Sequence, residues 1–187
     1  MYALPQLWLP ILVTALLVFV ASSLIHMVFK WHNSDYRKLT NEDDVRAAIR
    51  AGSPTPGQYA VPHCTDMKDL QSPEVSQKFV DGPVAMLTVK VNGTPAMGSA
   101  LGKWFVFNLA VATFAACLAV QTIGLQGGSH RAGHLVGMLS FLTYAGGSVQ
   151  NGIWMGKPWG SVAKDLLDAF IYGTVSALTF MWLWPQV

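Results

Sequence analysis

Long apolar runs leave this chain little choice of environment: residues 7–30, 101–123, 130–154 and 162–184 are each almost free of charge. A helix of about 20 apolar residues covers a hydrocarbon core of about 30 Å, and only helices or closed barrels satisfy every backbone amide there. Of 187 residues only 12% are charged, against about 25% in soluble domains. The runs predict an all-α membrane protein with four transmembrane helices. The first run lacks a basic segment before it and is longer than the core of a cleaved leader, so it reads as a retained span.

Between the first and second runs lies a polar stretch, residues 31–100, expected to be irregular with short helices. Thr40 is placed to cap a helix through Arg50, with Glu42 and Asp43 in the first turn where the helix dipole favours acid. Ser72-Pro73 opens a second short helix, and Tyr59 to Met67 reads as irregular. Val84 to Val91 is rich in β-branched residues before an Asn92-Gly93 turn, which allows a strand or hairpin. The formal net charge of +2 is small and dispersed, which argues against nucleic acid as a partner. Cys64 and Cys117 fall in a polar stretch and an apolar run, so a disulfide framework is not expected.

Lysine and arginine flanking the runs set the orientation. Lys30, Arg37, Lys38, Lys90, Lys103, Lys157 and Lys164 share one side if residues 31–100 and the turn at 155–161 do, leaving Arg131 opposite. That puts both termini in the periplasm and residues 31–100 in the cytoplasm of a multi-pass bacterial inner-membrane protein. Trp31, Trp104, Trp154 and Trp159 then mark the inner interface, and Trp8, Trp182 and Trp184 the outer one.

The last two runs form a hairpin around Gly156-Lys157-Pro158-Trp159-Gly160. On the final run Asp165, Asp168, Tyr172, Ser176 and Thr179 recur at steps of three and four and share a helix face. Gly133, Gly137, Ser140, Tyr144, Gly147 and Asn151, with Gln150 beside them, form the opposing face, and Gly133-x-x-x-Gly137 favours close packing. Counted from the turn at about 1.5 Å per residue, Asn151 and Asp168 lie on the order of 10 Å deep. Asn108 and His26 reach a similar level. Ionisable groups at that depth are costly and mark a site for a proton, ion or small polar ligand. The competing role is packing, with Asp165 or Asp168 paired to Lys103, Lys164 or an interface lysine.

Two further sets have metal-ligand chemistry. His130 and His134 stand at i and i+4 on one helix face, as paired zinc ligands do, but without a third ligand nearby in the sequence. His63 and Cys64, with His32 upstream, are soft and borderline donors lacking the usual spacing. A transition metal is thus the cofactor to consider, though none is specified. No Walker loop, nucleophile elbow or paired-cysteine motif is present.

The stretch Asn151-Gly-Ile-Trp-Met-Gly-Lys-Pro-Trp159, followed by a Lys-Asp start to the last run, resembles small four-span bacterial inner-membrane proteins that carry a Gly-(Lys or Arg)-Pro-Trp turn between their final helices. The likeness covers about the last quarter of the chain and implies that membrane location without implying an activity. The expected function is non-enzymatic: an oligomeric channel or carrier, or an accessory subunit of a larger membrane complex, with membrane lipids and other subunits as partners. The alternatives are a membrane-bound metal or redox protein using His130 with His134 or His63 with Cys64, and an anchored module recruiting a soluble partner through residues 31–100.

Overall fold

A computed structural model describes residues 4–66 and 68–185. The chain is mostly helical and divides into two compact units, Met1–Tyr36 with Ala96–Val187, and Arg37–Pro95.

The larger unit contains four long helices. Helix α1 covers Leu4–Phe29. It opens with a 3-10 turn, is α-helical over Trp8–Ser23, and widens to π geometry over Leu24–Phe29. Helix α4 spans Met97–Ile123, α5 Ser129–Trp154 and α6 Trp159–Leu183. Three of them, α1, α4 and α6, are long and apolar enough to cross a membrane. Helix α5 is equally long, but its histidines, glycines and hydroxyl residues make it less apolar.

The bundle buries small side chains and exposes large ones. Ala112, Ala115, Ala116 and Ala119 of α4 meet Leu7, Ile11, Val136 and Phe180 in a dry core. Trp8, Leu16, Phe114, Leu142, Phe170 and Trp182 face outward. An exposed apolar surface this extensive would aggregate in water, but it matches lipid.

Helices α5 and α6 approach most closely through glycine. A Cβ on Gly137 would stand 2.7 Å from the Ala177 Cβ and 3.0 Å from the Gly173 carbonyl oxygen. In lipid, where apolar burial gives little drive, such approach lets dispersion and backbone contacts join the helices. On α6 the interior hydroxyls satisfy themselves locally: Ser176 donates to the Tyr172 carbonyl at 2.8 Å and Thr179 to that of Val175 at 2.7 Å.

The smaller unit holds α2 (Glu42–Ala51), β1 (Gly57–Val61), α3 (Pro73–Asp81) and β2 (Ala85–Val89). The strands pair antiparallel, with Gly57 opposite Val89 and Val61 opposite Ala85.

Four sequence expectations need correction. Helix α2 starts after Asn41 rather than at a Thr40 cap, and no side chain caps it; its acidic first turn supplies the dipole complement instead. Tyr59 to Val61 is strand rather than irregular, because its partner lies far downstream, beyond the reach of a local pattern; Met67 lies outside the described residues. The polar stretch is shorter than 31–100, since residues to Tyr36 belong to the bundle unit and α4 already begins at Met97. Trp184 is packed inside its end of the bundle rather than facing outward as a belt residue: it is 2% exposed, and its indole donates to the Leu125 carbonyl at 2.9 Å.

The glycine contact yields a direct test. Gly137→Ala should lower stability by about 1–3 kcal/mol through overpacking, measured by thermal unfolding in micelles. Gly146→Ala on the same helix, where a Cβ meets nothing within 4 Å, should leave stability unchanged or improve it, since alanine is the better helix former. Equal losses at both positions would contradict the packing described.

Candidate functional site

The end of α1 creates the site by turning back on the bundle. His26 stands on the widened stretch Leu24–Phe29, with its ring Nδ1 3.0 Å from the Ser22 carbonyl oxygen. Lys30 then takes a left-handed conformation, φ 55° and ψ 26°, and reverses the chain. A 3-10 turn over Trp31–Asp35 follows. It carries Trp31, His32 and Asp35 to the second and third turns of α6.

Asp168 is the centre of the arrangement. Its side chain is 7% exposed. The Trp31 indole donates to Oδ1 at 3.2 Å, and His32 Nε2 lies 2.9 Å from Oδ2. His26 Nε2 is 3.8 Å from that same oxygen, and the His26 and His32 rings stack at 4.8 Å between centroids, 7° from parallel.

His32 also places Nδ1 2.8 Å from Asp35. Carboxylates flank both of its nitrogens, an arrangement that suits the doubly protonated ring. Burial opposes that charge, but the hydrogen bonds to Asp35 and Asp168 outweigh burial and raise the His32 pKa above its ordinary 6.5. Asp35 is held down to about 2, first by the Lys164 ammonium and then by His32. Lys164 donates at 2.6 Å to Asp35, 2.7 Å to Ser34 and 2.8 Å to the Trp31 carbonyl, fastening the turn to α6. One helical turn from Asp168, Asp165 accepts from Lys157 and Ser148.

Of these groups, His26, Ser148, Lys157, Asp165 and Asp168 line one wall of a cavity of about 650 Å³ between α1, α4, α5 and α6, which also includes Trp104, Tyr144 and Asn151; Trp31, His32, Asp35 and Lys164 hold that wall without lining it. Trp104 is held by its indole, which donates to Ser22 at 2.7 Å, and it sits edge-on to Tyr172 at 6.2 Å between centroids. Tyr172 is 4% exposed, lines the cavity, and its hydroxyl has no hydrogen-bond partner among the described residues. Charge is one short of balance. Asp35, Asp165 and Asp168 face Lys157 and Lys164, so a proton on His32 or another cation must complete the set.

Of the residues singled out from sequence, His26, Asn151, Asp165, Asp168 and Tyr172 line this cavity. Asn108 is buried behind it, accepting from the Tyr144 hydroxyl at 3.0 Å while its amide nitrogen has no partner among the described residues. It does not join Asp168. Gln150 is exposed and is not part of the wall. Of the anticipated lysine pairs, Asp165 finds an interface lysine, Lys157, whereas Lys103 pairs with neither carboxylate among the described residues and Lys164 pairs with Asp35.

His130 and His134 are both exposed on α5. In the smaller unit His63 is exposed, and the Cys64 thiol donates to the Asp66 carbonyl at 3.1 Å. Among the described residues, the three potential metal ligands brought together are instead His26, His32 and Asp168, with ligand atoms within 4.8 Å of one another. Sequence reasoning missed Trp31, His32, Asp35, Ser148 and Lys157 as members of the site. The readable signal was His32-x-x-Asp35 immediately after a span that carries His26.

The His32 environment fixes a pH dependence. A raised folded-state pKa contributes stability that is complete below 6.5 and is lost as pH rises through the folded value. In chelator-treated protein, the thermal midpoint should therefore decline as pH increases above about 6.5, and His32→Gln should flatten that decline. A midpoint that rises over the same range in the unsubstituted protein would contradict the assignment.

No family model, curated protein or solved structure matches this chain. Its chemistry has to follow from its own side chains.

Proposed function

We propose that this is a four-span bacterial inner-membrane protein that holds a cation in the cavity at the cytoplasmic end of its bundle, acting as a carrier or as an accessory subunit of a larger membrane complex. The observation that carries the reading is the charge at the cavity wall, where Asp165 and Asp168 face Lys157 alone and one further positive charge, on His32 or a bound cation, completes the set. The unpartnered hydroxyl of Tyr172, a residue of the same wall, adds to it, since buried polar groups normally find a partner. Aromatic walls from Trp104 and Tyr144 suit a cation as well.

A permanently open pore fits less well. The far end of the bundle is closed by the dry cluster of Leu7, Ala116, Ala119 and Phe180, so passage would need the helices to move. In this reading α5 crosses as the fourth span, its polar residues turned toward α6. Residues 37–95 face the cytoplasm, and both termini lie outside. The Gly156-Lys157-Pro158-Trp159 turn, with Gly156 at φ 69°, supports kinship with the small inner-membrane proteins that share it. Association into homo-oligomers belongs to the same proposal, because four slender spans leave wide apolar surface for partners.

Substituted cysteines test both topology and cavity. Gly147 lines the cavity and has room for a side chain, with nothing within 4 Å of an added Cβ. With Cys64 and Cys117 replaced, Gly147→Cys should react from the cytoplasmic face about tenfold faster or more with a cationic thiosulfonate than with an anionic one. Gln126→Cys should label only from outside and Met155→Cys only from inside. Equal rates for the two reagents would contradict a cation cavity, and labelling of residues 126 and 155 from one side would contradict four spans.

A further inference from the structure

We propose that His26, His32 and Asp168 form a binding site for a divalent transition-metal ion, with His26 Nε2, His32 Nε2 and Asp168 Oδ2 as ligands. This names the cation of the cavity just described and rests on that reading for the solute's route, but not for the donor atoms. Two imidazoles and a carboxylate make a borderline donor set suited to zinc or iron(II) and unlike the all-oxygen cages of calcium or magnesium.

The groups behind the ligands support the assignment. A carbonyl oxygen can only accept, so the 3.0 Å contact to Ser22 places the His26 proton on Nδ1 and leaves Nε2 with its lone pair. Asp35, held ionised by Lys164, likewise keeps a proton on His32 Nδ1, so that Nε2 is the nitrogen that can give up its proton to a metal. Trp31 donates to Asp168 Oδ1, orienting the carboxylate and leaving Oδ2 toward the histidines. Metal-ligating histidines commonly have this backing, a carbonyl or carboxylate on the second nitrogen. Here both have it, and both point their other nitrogen at one oxygen.

Without metal, the space between His32 Nε2 and Asp168 Oδ2 is bridged at 2.9 Å by a hydrogen bond. Binding replaces the proton shared there, since a ligating imidazole must present a lone pair. One adjustment is required. A metal lies close to the plane of each ring it binds, and parallel stacked rings have no common plane, so His26 must turn out of its stack. Its side chain is 52% exposed and free to do so. The cavity wall contains both His26 and Asp168, which gives the ion an entry path and leaves coordination positions open to water.

The experiment uses full-length protein in nanodiscs, stripped with chelator and titrated with Zn²⁺, then with Co²⁺ for its visible spectrum. The expected result is one bound ion per chain. His26→Ala, at a half-exposed side chain, should keep the metal-free melting temperature yet weaken zinc binding by at least about tenfold and alter the cobalt bands. Asp35→Asn should weaken binding in the same direction, whereas replacing His130 and His134 together by alanine should change nothing. Absence of a stoichiometric ion, binding unaffected by His26→Ala, or binding lost with His130 and His134 would each overturn the proposal. Should zinc fail to bind while Gly147→Cys still prefers the cationic reagent, the metal assignment falls and the cation cavity stands.

Discussion

The Asp168 carboxylate, buried on an apolar helix, is the constraint on which the polar end of this bundle depends. An uncompensated carboxylate in such a place would be too costly to remain ionised. It is compensated by the Trp31 indole and the His32 imidazole, both delivered by one reversal of the chain at Lys30. That reversal in turn needs fastening, which Lys164 supplies through Asp35, Ser34 and the Trp31 carbonyl. Lys164 and Asp168 stand one turn apart on α6. The same helix face thus creates the need for a partner and holds the segment that meets it.

The rest of the bundle follows from the absence of water around it. Large apolar residues cover the outside because lipid accepts them, and alanine and glycine line the inside because close backbone approach replaces hydrophobic drive. Gly137 against Gly173 and Ala177 shows that logic at its tightest. The two ends of the bundle then differ in kind. One is packed dry around Phe180 and Trp184, while the other encloses a cavity with aromatic and ionisable walls.

Much of the fold was legible in the sequence because length and apolar composition act over whole helices. The long elements fall within a few residues of their expected bounds, and the spacing of Asp165, Asp168 and Tyr172 at three and four residues correctly placed them on one face. What the sequence did not reveal depends on local backbone geometry. A π-widened end to α1 and a left-handed Lys30 carry no clear residue pattern, so His32 looked like the start of a polar segment, when it is a core member of the site. Asn108 failed in the opposite way: counting depth along a helix fixes its level but not its azimuth, and its oxygen meets Tyr144 behind the cavity wall. The pairing of β1 with β2 was hidden by the stretch of chain between them.

The coupling between His32 and Asp168 is the most direct measure of this account. A double-mutant cycle with His32→Gln and Asp168→Asn, followed by unfolding of chelator-treated protein in micelles near neutral pH, isolates the energy of that contact from the separate cost of each change. The account predicts a coupling of about 1–3 kcal/mol, the range for a hydrogen-bonded charged pair. Additive effects, with a coupling near zero, would show that Asp168 does not depend on the returning segment, and the site built around it would not exist.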